Sequence, residues 1–365
     1  MRQLLPFELE DFFVQYEHRP GLINLASSDA MPWALDELRT RYAVVRNRLE
    51  KGALGYPDVR AGLIPSLRAY YNNPAATEFL PTSGAAEAIF LAMQAIRCES
   101  SGNLTVAIPR PAYGAYDGIA RLLAYEPCYY SYDAERRWEL NREQLLECSG
   151  ACDVVIVTNP HNPTGSVAEP RFLDNVAEIL QSRGGLLIVD EVFRLPEEHR
   201  TRLESAPNVF VIGSLSKVYG LPGLRLGWVA GQKTLVDRMK TIQQYLSLSV
   251  NWFADAIGSA VLMDPLGASR HQLLVDARTT VQRWAQVNGD VASTTFPSGG
   301  TTVILSPKRP RDGLFDLLLN RNLLLVPGRR CFGWGDGAWF RLGYGTSQQV
   351  LSEGLDALES VLRRS

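Results

Sequence analysis

Residues 153–190 read DVVIVTNPHNPTGSVAEPRFLDNVAEILQSRGGLLIVD. Two short apolar runs, DVVIVT (153–158) and GLLIVD (185–190), flank PRFLDNVAEILQSRG (170–184), whose apolar residues recur at helical spacing. Apolar runs of this length bounded by turn residues read as buried strands. Strand, helix, strand in that order predicts parallel pairing with the helix laid over the sheet. The pattern continues outward. LTVAI (104–108) precedes it, VFVIGS (209–214) follows it, and AAEAIFLAMQAIR (85–97) reads as a long amphipathic helix. The expected fold class is α/β, a mostly parallel sheet sandwiched by helices.

Ligands of such sheets bind beyond the carboxyl ends of the strands. LTVAI leads into PRPAYGAY, DVVIVT into NPHNPTG, GLLIVD into EVFR and VFVIGS into LSK. Polar, aromatic and turn-forming residues therefore gather at one sheet edge. Asp190 ends an apolar strand, where an unpaired carboxylate costs several kcal/mol. It reads as a helix cap, a buried ion pair, or the partner of a cationic ligand nitrogen. Asn162 sits in a rigid proline-framed turn. Ser83, Ser214, Ser216 and Arg225, with the turn SGAAEAI at a helix start, suit a phosphate. In SLSKVYGLPGLRLGW (214–228), Lys217 stands among small and apolar residues, an unusual place for a surface lysine.

The 365 residues exceed the usual size of one core, which predicts two domains. The tail repeats the alternation differently. GTTVIL (300–305), LLLV (323–326) and AWFRL (338–342) read as strands among helices such as FDLLLNRN and LSEGLDALESVLRR. We expect a large domain over 45–255 and a smaller α+β domain from 1–44 and 256–365. The N-terminal part, with LEDFFVQYE at helical spacing, reads as helical and is expected to join the smaller domain.

A net charge of −2, with 46% hydrophobic and 21% charged residues, fits a globular protein and gives no support to a nucleic-acid or membrane partner. Five cysteines (Cys98, Cys128, Cys148, Cys152, Cys331) at irregular spacing, without nearby histidines, read as reduced packed thiols with no metal site. The opening MRQLLPFELEDFF breaks its apolar residues with acids, unlike a signal peptide. A cytoplasmic protein is expected.

Seven pieces in order, GYPDVRAGL, SGAAEAI, PRPAYGAY, NPHNPTG, VDEVF, SLSKVYGLPGLRLGW and FRLGYG, resemble the fold type I pyridoxal-phosphate enzymes of the class I/II aminotransferase group. The resemblance implies pyridoxal 5'-phosphate as cofactor and an amino acid as substrate. It makes Lys217 the cofactor's covalent anchor and proton shuttle, and Asp190 the partner of the ring nitrogen. Asn162 would bond the ring 3-oxygen and Tyr113 would stack on the ring. Ser214, Ser216 and Arg225, with backbone donors at Gly84 and Ala85, would hold the phosphate. Tyr56 would reach the phosphate of a neighbouring subunit, implying a homodimer with shared sites. Arg341 would clamp the substrate carboxylate.

Two stretches depart from the common pattern. Phe193 stands where the family usually has a tyrosine whose hydroxyl bonds the ring 3-oxygen. LEDFF followed by INLASSDAMPWALDELR is similar to the start of cyclising enzymes of the capreomycidine and enduracididine type, which act on hydroxylated arginines. The resemblance implies a lyase or cyclase making a cyclic guanidine, with an ordinary aminotransferase as the alternative. A guanidinium needs carboxylates or carbonyls around it. Glu10, Asp29, Ser27 and Ser28 are the candidates, with Asn162 beside them, whereas Glu8 and Asp11 read as solvated. His161 either approaches the cofactor or packs.

Overall fold

The computed structural model describes residues 6–52, 55–72, 76–195, 206–264, 268–295, 299–334 and 339–364. Among them, eight strands form one sheet in the order Thr77–Thr82, Gly227–Gln232, Val209–Ser214, Leu186–Asp190, Val154–Thr158, Leu104–Arg110, Tyr125–Asp133, Glu139–Leu140. The five strands from Val209–Ser214 to Tyr125–Asp133 are parallel neighbours. Gly227–Gln232 runs antiparallel to both its neighbours, and the short Glu139–Leu140 is antiparallel too. The sheet is thus mostly parallel, as expected, with antiparallel margins. TEFLPT (77–82), one of those margins, carries too few consecutive apolar residues to read as a strand.

The apolar runs lack alternation because both faces are covered. Val155, Val157, Leu187, Val189 and Val211 share a core with Leu173, Val176 and Leu180 of the helix Pro170–Gln181. Their neighbours Val154, Ile156, Ile188, Phe210 and Ile212 face the opposite core, filled by Ile89, Leu91 and Met93 of the helix Ala85–Arg97. Pro170 opens its helix at a position where the missing N–H costs nothing. Gly184, at φ +74°, reverses the chain after it, and Gly185 N–H donates to Leu180 O at 2.8 Å.

A second sheet is antiparallel, in the order Ala292–Thr294, Thr302–Pro307, Phe340–Gly343, Val326–Pro327. Its core joins Val303, Leu305 and Leu342 to Leu351, Leu355 and Leu358 of the helix Gln348–Arg363. The N-terminal segment completes it. Ile23–Asn24 pairs in parallel with Leu323–Leu324, and Gly343 N–H donates to Leu25 O at 2.8 Å. Residues 26–33 leave this pairing and run to the edge of the large sheet.

The five cysteines are free, though Cys98 is exposed rather than packed. No helix among the described residues is long and apolar enough to cross a membrane.

Candidate active site

Parallel register aligns Thr158 with Asp190 and Asp190 with Ile212, so Ser214 projects two residues further at the same edge. A cavity of about 340 Å³ opens there. Asp190 forms its floor and is 3% exposed. Its Oδ2 accepts from Tyr116 Oη at 2.6 Å, its Oδ1 from Val192 N–H at 3.1 Å, and Tyr116 Oη also meets Thr158 Oγ1 at 2.8 Å. Burial pushes the Asp190 carboxyl up to about 6, against the pull of these hydrogen bonds. Two donors fix its direction and leave lone pairs toward the cavity.

The far end of the cavity is built for an anion. The helix Ala85–Arg97 starts behind Gly84, at φ +88° with no side-chain cap, so its first N–H groups remain available. Ala85 and Ala86 line the cavity. Arg225, itself at φ +50°, lays its guanidinium against Gly84, where a Cβ would sit 2.3 Å from one nitrogen. Gly84 thus makes room for a cation at a helix N-terminus, an arrangement that stabilises nothing until an anion sits between them. Ser214 and Ser216 hydroxyls meet at 2.9 Å beside it. Ser83 N–H, by contrast, is taken by Glu87.

Between the two ends stands Lys217. Its Nζ contacts Asp29 Oδ1 at 2.6 Å, and Phe193 lies beside it with ring centroid 5.9 Å away. Asp29 is held there by the backbone. Ala30 N–H donates to Lys217 O (2.8 Å), Trp33 N–H to Gly220 O (3.2 Å), and Trp33 Nε1 to Tyr219 O (2.9 Å).

Arg341 closes the side toward the smaller sheet. It is 1% exposed and donates to Asn162 Oδ1 at 3.1 Å and Ala26 O at 2.8 Å, while its Nε has no partner. Burial lowers its guanidinium to about 10, so it stays charged at neutral pH. No carboxylate neutralises it by direct contact in the described hydrogen bonds. A buried cation with an orphaned donor is aimed at something anionic.

Leu9, Glu10 and Phe13, on one face of the helix Glu8–Tyr16, line the cavity mouth with Ser28, Asp29 and Tyr113. Phe7 packs on Tyr113 at 5.2 Å, tying this helix to the loop after the strand Leu104–Arg110. Glu8 and Asp11 are not among the lining residues.

Some expected residues lie elsewhere. Ser27 does not line the cavity, because its hydroxyl accepts from Asp29 N–H at 3.2 Å and its carbonyl packs against Gly343. His161 packs instead of approaching a ligand. It stacks on Tyr132 at 3.6 Å and meets Thr164 Oγ1 through Nδ1, and burial lowers its imidazole to about 3. Tyr56, expected at a neighbouring subunit's site rather than this one, is 81% exposed and does not line the cavity. Tyr116 and Thr158, which orient Asp190, escaped the sequence reading. The available signals were Tyr116 at helical spacing from Tyr113 and Thr158 as the polar end of DVVIVT.

The model of the family "Aminotransferase class I and II" matches residues 35–358. Capreomycidine synthase of Streptomyces vinaceus is 29% identical over 294 residues, 78% of this chain and 74% of that protein. The L-aspartate:5-guanidino-3-methyl-2-oxopentanoate transaminase of Pseudomonas syringae pv. syringae is 24% identical, over 78% of this chain and 75% of its own length. The crystal structure of the PLP-dependent cyclase OrfR superposes with a TM-score of 0.84 at 24% identity, covering 100% of this chain and 98% of that one. The cavity's donor set fits the cofactor of such enzymes, with N–H groups and a guanidinium for a phosphate, a lysine amine for an aldehyde, and a buried carboxylate for a ring nitrogen. The chain belongs to the class I and II aminotransferase family and uses pyridoxal 5'-phosphate.

Proposed function

We propose that the enzyme is a cyclodehydratase acting on a hydroxyarginine. It removes water and closes the guanidino group onto the chain, giving a capreomycidine- or enduracididine-like cyclic guanidine amino acid. The observation that carries this reading is Glu10, a carboxylate at the mouth of the cavity that holds Lys217 and Arg341. A guanidino side chain would meet Glu10 while its α-carboxylate meets Arg341, a pairing for which the planar guanidinium fork is suited. The likeness to capreomycidine synthase supports it.

The bound cofactor supplies an electron sink for bonds to the substrate Cα. Ser214, Ser216, Arg225 and the amides from Gly84 and Ala85 would hold its phosphate. Asp190 would keep the ring nitrogen cationic, Asn162 would bond the 3-oxygen, and Tyr113 would cover one face. Lys217 would anchor the cofactor and move the proton at the substrate Cα. Phe193 withholds a hydroxyl from the 3-oxygen and keeps the region beside Lys217 apolar. Ser28 offers a donor to the substrate hydroxyl. Ring closure inside one cavity benefits from the high effective concentration of an intramolecular nucleophile. In the same reading two copies of the chain associate, and the exposed Tyr56 serves the phosphate site of its neighbour.

Incubation with 3- and 4-hydroxyarginine tests the reading by mass spectrometry. A product lighter by one water with its nitrogen count intact is expected. The second reading is transamination, which the guanidino-keto-acid transaminase among the relatives favours. Formation of a 2-keto acid together with pyridoxamine phosphate would establish that instead.

A further inference from the structure

Lys217 is 31% and Asp29 22% exposed in their side chains, yet their charged atoms stand 2.6 Å apart inside the cavity. The contact spans 188 positions of sequence, so it is set by the fold. The segment carrying Asp29 has little freedom. Its backbone is bonded to the Lys217–Gly220 turn on one side, as described above. On the other, a Cβ at Gly345 would lie 2.3 Å from Asp29 O, so only a glycine admits this approach. Gly220, at φ +64°, comes equally close to Met31 O, where a Cβ would lie at 2.4 Å. Ser27 Oγ accepts from Asp29 N–H. A carboxylate clamped this way is positioned for a purpose beyond loose charge balance.

From this contact we infer that Asp29 is a catalytic proton carrier for the dehydration, working as a couple with Lys217. The inference rests on the cyclodehydratase reading above. Lys217 Nζ takes the proton from the substrate Cα, leaving the C–H pair at Cα, where the bound cofactor would delocalise it. Asp29 relays that proton from Nζ to the departing hydroxyl. For a hydroxyl on Cβ, the pair left at Cα forms a Cα–Cβ double bond as the C–O bond breaks, the C–O pair stays on oxygen, and oxygen leaves as water. The guanidino nitrogen then adds to the carbon that lost oxygen. Asp29 takes the N–H proton released by the new C–N bond and returns it through Lys217 to Cα. One proton goes out with water and one comes back from the guanidine, so the couple ends as it began and no outside reductant or oxidant is needed. An enzyme restricted to transamination needs the lysine and has no hydroxyl to protonate, whereas this chain places an acid against the lysine.

The test uses the holoenzyme and its Asp29→Asn variant in deuterium oxide. Arginine, which lacks the leaving hydroxyl, reports deuterium entry at Cα, while hydroxyarginine reports water loss. The ratio of water loss to exchange should fall by roughly 10² in Asp29→Asn, the scale of one lost general acid. Asp29→Glu should restore part of it. Equal falls in exchange and water loss would overturn the relay, and so would a raised KM with kcat unchanged, which marks a mere guanidinium ligand. The apo-protein provides a readout free of turnover. Lys217 should undergo reductive methylation faster in Asp29→Asn than in wild type, and equal rates would remove the contact. Failure of the wild-type enzyme to lose water from any hydroxyarginine while exchanging Cα of arginine would instead sink the cyclodehydratase reading, and the apo result would still stand on its own.

Discussion

A carboxylate inside a dry strand end must be paired or neutral, and Asp190 is poised between the two. Its folded value of about 6 lies above the 3.8 of a free aspartate because burial penalises the anion. The sign follows directly. In the apo-protein its contribution to stability is fullest below pH ~4 and is lost as pH rises through about 6. A cation beside it reverses the preference. Cofactor affinity should therefore rise between pH 5 and 7, and Asp190→Asn should flatten that rise, as equilibrium dialysis of the apo-enzyme would show. An equally steep rise in the variant would place the titrating group elsewhere. Lys217→Ala should abolish the long-wavelength absorbance of lysine-bound cofactor while phosphate contacts still retain some of it. An unchanged spectrum would refute the anchor. Arg341→Lys keeps the charge and loses the fork. It should raise KM for amino-acid substrates by roughly tenfold or more, since one good charge-assisted hydrogen bond is worth about 1.5–3 kcal/mol. Glu10→Ala should raise KM for a guanidino substrate far more than for an aliphatic one, and equal losses would remove Glu10 from the substrate.

The elements proposed to make the phosphate site could be read because each carries a local signature. VFVIGS (209–214) ends in the serine it needs, and the helix Ala85–Arg97 coincides with the amphipathic run that predicts it. Contacts set by two distant elements left no such mark. Nothing local separates Ser27 from Ser28, yet one bonds the backbone and the other lines the cavity. Asp29 read as a guanidinium ligand because its partner Lys217 lies on another segment. Tyr116 and Thr158 look like ordinary core edges until the fold puts the Tyr116 hydroxyl between Thr158 and Asp190. The helix start yields its own prediction. Gly84→Ala asks for a side chain at φ +88° and drives a methyl into Arg225. The strained backbone alone costs about 1–3 kcal/mol. The variant should melt lower as apo-protein and also lose cofactor affinity, measured by thermal unfolding and dialysis. A lower melting point with unchanged affinity would show that Arg225 does not serve the phosphate.

At the scale of the whole molecule, the two sheets meet across the cavity, with Asp190 and Lys217 from one side and Arg341 from the other. The N-terminal segment binds them together, pairing with Leu323–Leu324 and then crossing to the Lys217 turn. One chain therefore supplies every group proposed for the site except a neighbour's Tyr56. Tyr56 lies outside its own cavity and is 81% exposed. If it serves a neighbouring copy, two crippled chains must repair each other. Tyr56→Ala should weaken cofactor retention, and Lys217→Ala should be inert. Mixed, dissociated and reassociated, they form heterodimers in which one site keeps both Lys217 and the neighbour's Tyr56, while the other lacks both. Random reassociation of a symmetric dimer then restores about a quarter of the sites. Recovery at a cofactor concentration where neither parent is active would establish the shared site. Activity no greater than the average of the two parents, with dimers shown by sedimentation, would place Tyr56 outside the chemistry.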